Sequence, residues 1–390
     1  MVGRNHHAGH FRAVSENTAG NRISAAGSMA GTEENMVIKD IQFEVRSFRF
    51  EEPMKVAFAT IVDMQTCIIK IITDEGINGY GEAAPFSYVT GDNLETVIAV
   101  GKELKKELVG LDPRAIGMIH RVMDGMYAGN GPVKAGIDIA CYDIASRAAG
   151  LPLYRYLGGN DPCIHSDVTI GIDEPSAMAE TALGWVQKGF EIIKVKLGEE
   201  IAADAERIRA IRAAVGKDIR IRVDANQGWS VKDTVRISRI LADLDVDLIE
   251  QPVRAQDLDG LAEIKRSTDV LIAADDSCHS IYDAAKLAAA RAVDVVNIKL
   301  MKCGGIYNAL KIAAICEVAG IPCMIGCMGE STLGNLAGMH LAAAVDNIKE
   351  VDLDAVYILK QEDVYGGYDH RGGRVTLWDT PGIGCIVKGE

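Results

Sequence analysis

The sequence predicts an α/β protein: a closed parallel (β/α) barrel preceded by a smaller α+β domain. Three observations carry that prediction. Five short apolar runs in the second half each end in an ionisable residue: KVKLG (194–198), IRVDANQ (221–227), LIEQP (248–252), IAADDS (272–277) and VVNIKL (295–300). From Lys196 through Asp224, Glu250 and Asp275 to Lys299 the steps are 28, 26, 25 and 24 residues, the length of one strand, one helix and two loops. Segments of helical period, such as EPSAMAETALGWVQKGF and DAERIRAIRAAVG, lie between the runs. A barrel gathers the C-terminal ends of all its strands at one mouth, so three carboxylates would meet there between two amines.

Taken in order, residues 1–35 are rich in Gly, Ala, Ser and Asn and lack an apolar stretch of the secretion-signal kind. They read as a disordered extension or an expression remnant, His6, His7 and His10 included. Residues 36–160 read as an α+β domain. Alternating runs (IKDIQFEVRSFRF, a break at Glu51–Pro53, then TCIIKIITDEG) imply a meander of antiparallel strands, and helix-period segments follow over 93–128 and 133–159. The barrel spans 161–370, with IHSDVTIG (164–171) as first strand, PCMIGC (322–327) as seventh and VDLDAVYIL (351–359) as eighth. Residues 371–390 return to the smaller domain.

Bulk properties exclude some roles. The chain has 390 residues, 48% hydrophobic and 25% charged, long enough for two domains. A net charge of −14 argues against a sequence-independent nucleic-acid binder, which needs a basic face. No run approaches the length of a membrane span. Nine cysteines, without two pairs at zinc-ligand spacing, read as free thiols in a reducing cytoplasm.

Asp224, Glu250 and Asp275 end three consecutive strands. Three converging carboxylates repel unless a cation joins them, and an all-oxygen set favours Mg²⁺ over Zn²⁺. Lys194 and Lys196 alternate with apolar neighbours and so share a strand face; the inward face is preferred, since a lysine among the outer helices would be a buried charge. Lys196 ends the second strand and Lys299 the sixth, opposite positions in a ring of eight. Such amines can take a proton from, and return it to, opposite faces of a carbon next to a carboxylate. Lys302, just beyond, reads as a solvated residue at a helix start.

These motifs resemble the enolase superfamily, in its muconate-lactonising subgroup. KVKLG resembles the KxK motif, VDANQGW, EQP and ADDS the three metal strands, and NIKLMKCGGI the second acid/base strand; GEAAPFSYVTGDNLETV also matches. The similarity runs from about Met36 to the C-terminus. It implies a modified TIM (β/α) barrel with an α+β capping domain, Asp224, Glu250 and Asp275 as Mg²⁺ ligands, Lys196 and Lys299 as paired bases, and Lys194 in support. VDLDAVYIL is similar to the DxD of the dipeptide epimerases, where Asp352 and Asp354 would hold the free α-ammonium of a dipeptide. In the L-Ala-D/L-Glu epimerases a lid arginine meets the substrate's side-chain carboxylate; here Ala59 falls at that place, which leaves a glutamate side chain without a counter-charge. Asp63 on the same loop would favour a cationic one, so a neutral or cationic C-terminal residue is expected.

The leading expectation is therefore a Mg²⁺-dependent dipeptide epimerase of the L-Ala-Xaa type, cytoplasmic and homo-oligomeric, with no nucleic-acid or membrane partner. The alternatives are a lyase, such as a hydroxyproline dehydratase, or an N-acylamino-acid racemase using the same lysine pair. A non-catalytic scaffold barrel is disfavoured because all five catalytic-position residues are present. Acid-sugar dehydratases are disfavoured because PCMIGCMGE lacks the histidine of their second base.

Overall fold

The structure is a computed structural model that describes residues 36–360 and 363–389. The N-terminal extension and its three histidines lie outside the described residues. Two long strands, Ile38–Val56 and Ala59–Thr73, form an antiparallel hairpin from Ile38 opposite Thr73 to Val56 opposite Ala59. Ile41, Cys67, Ile69 and Ile71 are buried along the hairpin, and Thr66 and Ile68 on the opposite face are buried too, so the second strand is covered on both sides over 66–69. Gly79–Ala83 and Leu359–Lys360 complete a four-stranded sheet. The predicted interruption at Glu51–Pro53 is a bulge, a register shift between Arg49 and Met54, rather than the end of the strand. Pro53 has no N–H to give the ladder, and a bulge accommodates that.

Helix Ile116–Met126 packs on helices Leu94–Leu108 and Gly131–Ala148, which themselves pack against this sheet. The last of them approaches so closely that a Cβ on Gly81 would stand 1.9 Å from the carbonyl oxygen of Gly136. Glycine is the only residue that permits this contact.

The barrel has eight parallel strands: Val168–Ile170, Ile192–Lys196, Arg220–Asp224, Val246–Glu250, Leu271–Ala274, Val295–Lys299, Cys323–Gly326 and Ile348–Asp352. Neighbours pair in sequence order from first to eighth. The eighth meets the first through single bonds instead of a ladder: Asp167 N donates to Val351 O (3.2 Å), Leu353 N to Ser166 Oγ (3.0 Å), and Thr169 N to Asp354 Oδ2 (2.7 Å).

Two strand boundaries differ from the sequence reading. Cys163–His165 belongs to a separate three-stranded antiparallel sheet with Tyr368–Arg371 and Arg374–Leu377, so the first barrel strand begins only at Val168. The eighth strand starts at Ile348 and stops at Asp352; Ala355–Ile358 is a helical turn, and Leu359 pairs with Phe50 of the hairpin. The apolar residues after Asp354 cover the mouth and the hairpin instead of extending the strand. Towards the C-terminus, Ile383 N donates to Asp143 Oδ1 (2.9 Å) and Leu153 N to Gly382 O (2.9 Å), which ties the tail to helix Gly131–Ala148 and the turn after it. No helix among the described residues is long and apolar enough to cross a membrane.

Candidate active site

Each of the five ionisable strand ends points into the barrel mouth. Alternation explains why. Ile193, Val195, Ile221, Val223, Ile249 and Ile298 pack outward, fully buried, so Lys194, Lys196, Arg222, Asp224, Glu250, Asn297 and Lys299 face the axis. Asp275 lies one residue beyond its strand, and its amide N is held by Gln251 Oε1 (2.9 Å).

Asp224, Glu250 and Asp275 are buried, and their ligand oxygens lie within 4.8 Å of one another. Amines neutralise them. Lys196 Nζ is 2.7 Å from Asp224 Oδ2, Lys194 Nζ is 2.7 Å from Glu250 Oε2, and Lys299 Nζ is 2.8 Å from Asp275 Oδ2. Burial pushes the Glu250 carboxyl up to about 7, a push that the Lys194 ammonium opposes. Burial also acts against the charge on Asp275, but Lys299 and Lys302 hold that carboxyl well below its usual range. Lys194 and Lys299 are both raised: burial favours their neutral forms, and the surrounding carboxylates outweigh it. Buried, close and all-oxygen, this donor set fits a hard divalent ion such as Mg²⁺.

A second group of buried carboxylates, Asp167, Asp352 and Asp354, comes equally close together. Lys194 joins it to the first, donating to Asp352 Oδ2 at 2.6 Å. One layer deeper, Arg222 donates to Asp167 Oδ2 at 2.9 Å and pairs with Glu350. Burial raises the Asp354 carboxyl, and the neighbouring Asp352 adds to the rise.

Above this charged floor the hairpin supplies an apolar roof of Met54, Val56, Phe58 and Ile61, continued by Phe86 and Val89. Phe58 stacks on Tyr88 with ring centroids 4.6 Å apart. Cys327, Met328 and Gly329 form one wall.

Some expectations need correction. Residues 55–67 are not a loop but the tip and second strand of the hairpin. Asp63 is exposed there, opposite Arg49, and neither it nor Ala59 lines the cavity. Lys302 is not solvated: its side chain is fully buried, and its Nζ lies 2.6 Å from Asp275 Oδ1. Sequence reasoning also missed Arg222, Asp167, Asn297 and Glu82. Arg222 stands two residues before Asp224, the same spacing as Lys194 to Lys196, so alternation alone could have placed it inward. Glu82, fully buried on the capping sheet, accepts from Ser331 N (2.9 Å), Ser331 Oγ (2.6 Å) and Gly334 N (2.9 Å), and so caps the helix that follows the seventh strand. No sequence pattern signals that contact, which spans some 250 residues.

Residues 40–158 match the family model "Mandelate racemase / muconate lactonizing enzyme, N-terminal domain", and residues 177–390 match "Enolase C-terminal domain-like". The chain thus belongs to the mandelate racemase/muconate lactonizing enzyme family of the enolase superfamily. It is 46% identical over 333 residues to a hydrophobic dipeptide epimerase of Enterococcus faecalis, covering 85% of this chain and 94% of that protein. It is 39% identical over 352 residues to an L-Ala-D/L-Glu epimerase of Clostridium acetobutylicum, covering 90% and 98%. Among solved structures, the Enterococcus faecalis dipeptide epimerase complexed with Mg and the dipeptide L-Leu-L-Tyr superposes with a TM-score of 0.88 at 44% identity, over 90% of this chain and 99% of that one. Like these relatives, the chain is an isomerase of the racemase/epimerase kind.

Proposed function

We propose that the protein is a Mg²⁺-dependent dipeptide epimerase that inverts the α-carbon of the C-terminal residue. The observation that carries this reading is the placement of Lys196 and Lys299 on the second and sixth of eight strands, each amine against a carboxylate of the triad. Asp224, Glu250 and Asp275 would hold the ion, which when bound would supply positive charge to offset the negative charge that builds up on the substrate carboxylate as its α-proton leaves. One of Lys196 and Lys299 takes that proton, and the other returns one to the opposite face. Lys194 stays charged among Asp352, Glu250 and Asp224, and supports the electrostatics without moving a proton. Asp352 and Asp354 receive the free α-ammonium of the N-terminal residue.

The sequence left the C-terminal side chain neutral or cationic within an L-Ala-Xaa type substrate. With Asp63 outside the cavity, the cationic option loses the counter-charge expected from that residue. The roof of Val56, Phe58, Ile61 and Phe86 favours an apolar side chain, in keeping with the hydrophobic dipeptides named for the Enterococcus faecalis relative.

Incubating apolar dipeptides with enzyme and Mg²⁺ in D₂O tests the reading. An epimerase incorporates one deuterium at the C-terminal α-carbon and yields both diastereomers. Consumption to an unsaturated product would mark a lyase instead, and exchange confined to N-acylated amino acids a racemase.

A further inference from the structure

Each carboxylate of the triad has one oxygen tied back into the protein and one turned to the cavity. Asp224 Oδ1 accepts from Asn226 N at 2.9 Å, Glu250 Oε1 from Asn297 Nδ2 at 2.8 Å, and Asp275 Oδ1 from Lys302 Nζ at 2.6 Å. The partner oxygens, Asp224 Oδ2, Glu250 Oε2 and Asp275 Oδ2, face Lys196, Lys194 and Lys299, and Asp224 Oδ2 also accepts from Asn226 Nδ2 at 3.2 Å.

Two of the three tethers come from one short segment. Lys302 Nζ also donates to the carbonyl oxygens of Asp275 and Asn297, the latter at 3.2 Å. An ammonium has three hydrogens, and all three are engaged on the side away from the cavity. Asn297 is fully buried, and room for its amide depends on Gly326: a Cβ there would stand 2.8 Å from Asn297 Oδ1 and 2.9 Å from Nδ2.

We propose that Lys302 and Asn297 are positioning residues that bind the outer oxygens of Asp275 and Glu250 and so present them as single-oxygen ligands to the metal. Neither lines the cavity. The inference rests on the reading of Asp224, Glu250 and Asp275 as the metal site. A chelating carboxylate suits the larger Ca²⁺, which accepts two oxygens from one group, whereas Mg²⁺ demands a compact, near-octahedral set. With the outer oxygens occupied, chelation is unavailable and the site prefers the smaller ion.

The test is metal binding to the enzyme without substrate, by calorimetric titration with Mg²⁺ and with Ca²⁺. Asp275→Asn is measured alongside Lys302→Met, which keeps the length of the side chain and removes its donors. Loss of a partner that orients a metal ligand weakens affinity roughly 10- to 100-fold. Lys302→Met should therefore lose about that factor for Mg²⁺ while Ca²⁺ loses much less, and Lys302→Arg should recover part of the Mg²⁺ affinity. Wild-type Mg²⁺ affinity and an unchanged Mg²⁺/Ca²⁺ ratio in Lys302→Met would overturn the proposal, provided Asp275→Asn has lost binding. If Asp275→Asn binds Mg²⁺ like wild type, the metal site itself has been misassigned. Should Lys302→Met fail to fold, Asn297→Ser, acting on Glu250, decides by the same ratio.

Discussion

Lys194 Nζ donates to Asp352 Oδ2 at 2.6 Å, and this bond ties the proposed ammonium-binding acids to the proposed metal acids through one buried cation. Asp352→Asn keeps an acceptor for Lys194 and removes the charge that a substrate ammonium would meet. Truncating one partner of a buried charge pair costs about 2–5 kcal/mol. KM for a dipeptide with a free amino terminus should therefore rise well over tenfold, while Mg²⁺ affinity, read by titration, changes far less. Equal losses would contradict the ammonium role.

Lys196→Ala and Lys299→Ala should each abolish epimerisation, since a positioned general acid or base contributes about 10²- to 10⁴-fold. Mass spectrometry in D₂O distinguishes two-base from one-base chemistry. In the two-base case each variant can still exchange deuterium into one stereoisomer, the one whose α-hydrogen faces the remaining amine. Full turnover in both variants would refute the pairing.

Phe58→Ala removes the centre of the aromatic roof formed with Phe86 and Tyr88. An apolar pocket contact contributes about 1–3 kcal/mol to discrimination. The ratio of kcat/KM for a dipeptide ending in a large apolar residue to that for one ending in alanine should fall about tenfold or more. A constant ratio would show that the hairpin does not read the side chain.

His340 gives a pH dependence of stability with a definite sign. Its Nδ1 accepts from Tyr154 N and its Nε2 faces Ile383 O, both at 3.1 Å, so the ring is neutral with its proton on Nε2. Burial depresses it to about 4 from 6.5. Between those values the unfolded chain binds the proton and the folded one does not. The contribution is complete above pH 6.5 and fades as pH falls towards 4, by at most about 3 kcal/mol. Denaturant titrations of wild type and His340→Gln should show a shallower decline in the variant from pH 6.5 to 4.5. Parallel curves would exclude His340 as the source.

The site was legible wherever one apolar run ended in one ionisable residue, because a parallel barrel converts strand ends directly into a mouth. Lys196, Asp224, Glu250, Asp275 and Lys299 all lie where that rule puts them. It failed where the chain turned back on itself. Lys302 follows the sixth strand by three residues, and a single helical turn, Leu300–Cys303, folds its amine beneath Asp275. Asp63 was misread because the two hairpin strands are far longer than ordinary ones, so a residue near the tip looked like loop. The eighth strand was placed late because Ala355–Ile358 is as apolar as a strand while forming a helical turn whose Ala355 and Ile358 line the cavity. Asp167 carries no local signal at all, since its partner Arg222 lies 55 residues away.

The open edge between the eighth and first strands has an evolutionary consequence. Thr169 N is satisfied there by Asp354, so a residue proposed to recognise the amino terminus also sutures the cylinder. Replacing it to admit a new substrate would unpick backbone as well as alter recognition. The hairpin tip at Ala57–Phe58 bears no such double duty. A change in what this chain accepts can therefore be made in the roof without loosening the bond that closes the barrel.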